Sequence, residues 1–368
     1  MEKPTRQNEK AISRANANIS ISVHEPTPEE LRQQQYDTVR EIKKLRDASF
    51  PSKNGLRPHE ILMLSYAPKF HVGQKNFQQF WYYKYAVSNP NELLESLVSK
   101  GFIRKCSAVE SLGNLKVPEL KAILSESGLK ATGKKPDLIL RITNEVAPDA
   151  IERNVNCRNY ALTELGKTEL QENEYVIYMH GYRYSNISVW TINKAMQGYP
   201  ARLWRDRIWA ELNRLQLEAF RDIDRGNYSP YVSIRYQQAD FLIEEKRYGD
   251  AITIILDALD KSLNYIAAKR FELEIEFRKT GFKSGTIPSY AELVNDCCGF
   301  GFRLLQRILD AFSPSKPYDI LISETYDSLK IKKVLLSKDE FISILQSQIT
   351  GDMNTFLRVC NNVQKRLL

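Results

Sequence analysis

The chain has 368 residues, of which 42% are hydrophobic, enough to build proper cores in two or three globular domains. Its 53 basic and 45 acidic side chains leave a formal charge of +8, a mild excess that suits an acidic partner without demanding one. Five scattered cysteines (Cys106, Cys157, Cys297, Cys298 and Cys360) exclude a disulfide framework or a paired zinc knuckle. The lack of an apolar signal core or a membrane-length run points to a cytoplasmic protein with no membrane partner.

Residues 1–30 are polar and rich in Asn, Ser, Glu and Pro, the composition of a mobile tail. A helix is predicted from Pro28 to Ala48, with Leu31, Val39, Ile42 and Leu45 as its apolar positions, ending before Phe50-Pro51. Asn54-Gly55 is a turn, and Pro58 opens the next helix. The aromatic-dense stretch FQQFWYYKYAV, residues 77–87, must be largely core, with base stacking by Phe80 to Tyr85 as a second use. Asn89-Pro90 then starts a helix bearing Leu93, Leu94, Leu97 and Val98, Gly101 stops it, and Phe102-Ile103 begins a short strand.

Residues 115–142, LKVPELKAILSESGLKATGKKPDLILRI, are the most informative stretch. Val117, Leu120, Ile123 and Leu124 recur at helical spacing, and Pro118 suits a first helical turn. Gly128 sits where a helix stops, Leu129 folds back as the contact beyond it, and Leu138, Ile139 and Ile142 supply a second apolar stripe. The span carries six basic residues (Lys116, Lys121, Lys130, Lys134, Lys135, Arg141) and three acidic ones (Glu119, Glu126, Asp137), a balance of +3. Much of that charge gathers beside the start of the second helix, where free amides also favour an anion.

The pattern Leu115, Val117, Glu119-Leu120-Lys121, Leu124, Gly128-Leu129, Gly133, Lys135, Leu138-Ile139 and Arg141-Ile142 closely resembles the SAP motif, a small helix-turn-helix-like DNA-binding module. The resemblance implies binding to duplex DNA through the second helix and the turn before it, with Gly133, Lys134 and Lys135 at the contact. One departure stands out. Lys116 replaces the usual Ser or Thr helix cap, a loss worth about 1 kcal/mol, although a lysine there can reach a phosphate.

Asn159 to Thr163 reads as a returning strand, with Thr163 capping the helix that follows. A helix ending in Lys100-Gly101-Phe102-Ile103, answered later by Tyr160-Ala161-Leu162-Thr163, is similar to the winged-helix family, which makes the SAP-like module an insertion in the wing. Lys100, Arg104 and Lys105 then read either as part of a DNA-directed face or as a solvated edge. Residues 174–180, EYVIYMH, form a β-like apolar run. The four histidines (His24, His59, His71, His180) lie far apart and nominate no metal site.

Beyond Trp190 the chain turns helical. Trp204, Ile208, Trp209, Leu212 and Leu215 mark one face, and arginines interleaved with acids predict a salt-bridged surface. Residues 230–265 resemble a tetratricopeptide-type helical hairpin. The stretch ELVNDCCGFGFRLLQRILDAF reads as a core helix interrupted by Gly299 and Gly301, with Cys297 and Cys298 buried. Two helices separated near Thr350-Gly351 complete the chain.

No P-loop, nucleophile elbow, H-E-x-x-H or D-x-D cluster appears, so the expectation is a non-enzyme without a cofactor. The expected fold is mainly α: a flexible tail (1–30), a small winged-helix-like α+β domain (31–111 plus 147–180), the SAP hairpin inserted in or next to it (112–146), and an α-helical domain (181–368). The leading functional expectation is duplex-DNA binding, of bacterial or mobile-element type, by Lys116, Gly133, Lys134, Lys135 and Arg141. In it, 181–368 meets a protein partner or a second copy. A protein-interaction scaffold and an RNA-binding protein are the alternatives.

Overall fold

The structure, a computed structural model, describes residues 27–155, 157–281, 286–329 and 335–368. Nearly all of the expected tail, and His24 with it, lies outside the described residues. With 72% helix and 2% strand the fold is mainly α, as the sequence predicts. The chain divides into two compact units, one ending at His180 and one beginning at Gly181.

In the first unit, α1 (Pro28–Ala48) opens on a capping box in which Thr27 Oγ1 accepts the Glu30 N–H at 3.2 Å and Glu30 Oε2 accepts the Thr27 N–H at 2.7 Å. Its apolar stripe is only partly covered: Val39 is buried, whereas Leu31 and Leu45 are 44% and 50% exposed. Its packing neighbour α3 (Phe80–Tyr85) spans six residues against twenty-one, too short to cover the whole face. Between them α2 (Pro58–Tyr66) buries Ile61 to Leu64. Helix α4 (Pro90–Ser99), capped by Asn89, leads into β1 (Ile103–Lys105).

Strand β2 (Tyr160–Leu162) pairs antiparallel with β1, placing Ile103 opposite Leu162, Arg104 opposite Ala161 and Lys105 opposite Tyr160. Everything between the strands is therefore an insertion into this strand pair: α5 (Ala108–Ser111), α6 (Val117–Glu126), α7 (Lys135–Glu145) and α8 (Pro148–Asn154). A single bridge joins His71 to Asn159 at the edge. Thr163 caps α9 (Glu164–Glu172), its Oγ1 accepting the Gly166 N–H at 3.2 Å.

The β-like reading of residues 174–180 is overturned, because they form the helix α10 (Glu174–Gly181). Tyr175, Val176 and Met179 are buried there at helical spacing; a run apolar on every side carries no period by which to choose strand from helix. The helix brings His180 into the aromatic block, where its ring nitrogens meet Tyr66 Oη at 3.1 Å and Tyr85 Oη at 2.9 Å. Trp81 and Tyr85 are buried in this cluster, while Tyr82 and Tyr83 are 39% and 41% exposed.

The second unit contains α11 (Val189–Ala195), α12 (Trp204–Ile223), α13 (Ser229–Glu244), α14 (Tyr248–Lys261), α15 (Ala268–Lys279), α16 (Tyr290–Ala311), α17 (Tyr318–Ser328), α18 (Lys338–Thr350) and α19 (Met353–Leu367). One core runs from Ala219 to Val363. Helix α14 passes through a π turn, Ser262–Ala267, into α15. Contrary to expectation, Gly299 and Gly301 do not interrupt α16; a Cβ at Gly301 would stand 2.6 Å from Tyr236 Oη, so this glycine permits close helix packing. Cys298 is buried as expected, but Cys297 is only half-buried, its Sγ 3.3 Å from Arg270. No helix among the described residues is long and apolar enough to cross a membrane.

Candidate nucleic-acid interface

The inserted hairpin has a core of its own. Leu120, Ile123 and Leu124 from α6 meet Leu138 and Ile142 from α7, and Ala108, Leu112, Ile151 and Val155 from the flanking segments complete the cluster. Helix α6 ends as its sequence predicts: Gly128 is left-handed at φ +69°, and the Leu129 N–H closes onto the Leu124 carbonyl at 2.8 Å. Gly133 has φ +133°, and a Cβ there would lie 3.3 Å from Asp137 Cβ, so the turn into α7 requires glycine.

The N-cap positions of both helices are lysines, Lys116 for α6 and Lys134 for α7. An ammonium group cannot accept a hydrogen bond, so neither lysine caps its helix through its side chain. Half of the lost capping box survives: Glu119 Oε2 accepts the Lys116 N–H at 2.5 Å, and Asp137 Oδ2 accepts the Lys134 N–H at 3.0 Å. This corrects one expectation of an anion cradle at the helix start, because the Lys134 amide is already taken.

Lys135 Nζ donates to the Gly113 carbonyl at 2.7 Å, a bond that places the start of α7 beside the chain entering α6. The positive ends of two helix dipoles therefore share one end of the hairpin, with Lys116 and Lys134 exposed there and Lys135 half-buried. Arg141 is set apart. Six residues farther along α7, about 9 Å at the helical rise, it is half-buried and donates to the Thr132 carbonyl at 3.0 Å and to the Lys130 carbonyl. It braces the linker between the helices. Lys116, Gly133, Lys134 and Lys135 are thus gathered, and Arg141 supports them from behind.

Charge pairing separates this end from its surroundings. None of Lys116, Lys121, Lys130, Lys134, Lys135 or Arg141 forms an ion pair with a carboxylate among the described residues. Their acidic neighbours Glu119 and Asp137 face the helix starts instead. Along the strand edge the opposite holds: Lys100 pairs with Glu60 at 2.6 Å, Arg104 with Glu110 at 2.6 Å and Lys105 with Glu95 at 2.8 Å. The Arg104 guanidinium and the Ser107 amide hold the Glu110 carboxyl down to about 2. Those three cations form a solvated, ion-paired edge.

Lys121 and Lys130 belong to the charge of the span but not to the predicted site. Both are exposed. The Lys135 bond to Gly113 crosses 22 positions and has no sequence signal. No group of three His, Cys, Asp or Glu side chains among the described residues could hold a metal ion.

Compared with curated proteins, the chain has no match. Residues 111–147, which include both helices of the inserted hairpin, match the SAP domain, and the match points to nucleic-acid binding in general.

Proposed function

We propose that the chain is a non-catalytic, cytoplasmic DNA-binding protein that grips the duplex backbone with residues 115–142. The observation that carries this reading is the group of cations without acidic partners at the shared N-terminal end of α6 and α7. Lys116 and Lys134 neutralise phosphates there and release counterions, while Lys135 and Arg141 fix the turn that presents them. Phosphate contacts place a protein without reading sequence, so any site preference arises through groove shape. The antiparallel β1–β2 pair around the hairpin supports the winged-helix likeness, and the α13–α14 hairpin supports a tetratricopeptide-like surface for a protein partner or self-association. Five free thiols agree with a reducing cytoplasm.

RNA binding is the second reading, favoured by the partly exposed rings of Tyr82 and Tyr83 beside the exposed Lys84 in an aromatic helix that buries only Trp81 and Tyr85. Competition of labelled duplex DNA with single-stranded DNA and RNA, using the full chain at fixed salt, tests both. Duplex is expected to compete best, with affinity falling steeply as salt rises. Preference for RNA that is lost in Tyr82→Ala would reverse the order of the two readings.

A further inference from the structure

A pocket of 530 Å³ in the second unit is walled by α12, α13 and the segment 183–186. Leu215 and Ile234 give it apolar surface, Glu218 and Asp222 give it two carboxylates, and the Arg183 guanidinium at its rim turns to Asp240 at 3.8 Å. The segment is pinned through a buried acid: Tyr184 Oη donates to Asp240 Oδ2 at 2.9 Å, and Arg307 donates to Asp240 Oδ1 at 2.5 Å.

Gln237 also lines the pocket. It is 3% exposed, its Nε2 reaches Ser233 Oγ only at 3.5 Å, and its Oε1 has no hydrogen-bond partner among the described residues. The adjacent buried Gln238 shows what full pairing looks like, donating to Asn213 and Gln216 at 2.8 Å each and accepting from Arg235 at 3.0 Å. A buried amide acceptor beside a polar pocket, left unmet while its neighbour is satisfied, is a group that a donor entering the pocket can meet.

We propose that this pocket binds a donor-rich cation on an aliphatic stem, a guanidinium or a primary amine. The stem lies on Leu215 and Ile234, and the charged head meets Glu218 and Asp222. A small rotation of the Gln237 amide supplies a neutral acceptor. Arg214 holds Glu218, and Arg225 stands 3.7 Å from Asp222, yet a carboxylate keeps lone pairs for a second donor. The cation comes either from a basic side chain of a partner protein or from a free small amine.

The test titrates the full chain with agmatine and with N-acetyl-arginine methylamide by calorimetry, using 1,6-hexanediol as the neutral control. Saturable binding of either cation is expected, none of the diol, and about a tenfold loss in Asp222→Asn and in Gln237→Leu. Melting curves check that each variant folds, and the exposed Glu218→Gln keeps the test open if Gln237→Leu does not. Tighter binding of the capped arginine assigns a protein side chain, and tighter binding of agmatine assigns a free cation; both outcomes support the pocket. No saturable binding of either, or equal binding by the folded variants, overturns it.

Discussion

The inserted hairpin has an excess of cations, helix α12 matches its four arginines with four acids, and the two use their cations in opposite ways. On α12, Arg214 is flanked by Glu211 and Glu218 at helical spacing and bonds both, while Arg205 is held by Glu244 and Glu245. In the hairpin, Asp137 and Arg141 have the same i, i+4 spacing and do not pair. The Lys134 amide takes Asp137, and linker carbonyls take Arg141. Sign and spacing predict an ion pair only where the backbone offers no better partner. A helix start, with its unmet amides, is where it does.

The hardest way to break this contrast is through the hairpin core. Leu138 is fully buried, so Leu138→Ala is expected to destabilise the module by about 2–5 kcal/mol and to abolish tight nucleic-acid binding with it. Denaturant unfolding followed alongside a binding titration checks this; retained affinity would detach binding from the hairpin.

Next, Lys116→Glu with Lys134→Glu should weaken duplex binding by about a hundredfold and lower the salt slope by about 2, as expected for two lost phosphate contacts. Arg205→Glu with Arg214→Glu should change affinity by less than about threefold, since those guanidiniums are already bound to carboxylates. Equal losses from the two double variants, measured at one salt concentration, would erase the distinction between the regions.

Gly133→Ala forces a side chain into a left-handed turn against Asp137 and is expected to cost about 1–3 kcal/mol, read as a lowered melting temperature. The smallest effect concerns the ion-paired edge. The Glu110 carboxyl is held at about 2, below its ordinary 4.5, so its pairing stabilises the fold above the ordinary value and that contribution is lost as pH falls from 4.5 toward 2. Melting temperatures of the wild type and Glu110→Gln should therefore converge across that acid range. A gap that stays constant would remove the pair from the stability of the strand edge.

Much of this architecture was legible in the sequence because its signals are local. Asn89 and Thr163 announce helix starts, Gly128 a helix stop, and the stripes of α6 and α7 their buried faces. The strand pair was also readable, from short β-prone runs on either side of the hairpin. Residues 174–180 misled because uniform apolarity has no period, and Gly299 and Gly301 because a helix tolerates glycine where a neighbour presses close. In the candidate site, residue types and charge were readable. The distribution of roles was not: the bonds from Lys135 to Gly113 and from Arg141 to the linker join separate parts of the chain.

The register of the strand pair has a practical corollary. Lys105 and Tyr160 face each other across the ladder, so the fifty-odd residues between them leave and rejoin the domain at a single doorway about 5 Å wide. Such a module hangs on two stems rather than one, which limits its swivel about the strand pair. It is also removable: a short reverse turn joining Cys106 to Arg158 would excise it, keep the Asn159 bridge to His71 and leave a β-hairpin behind.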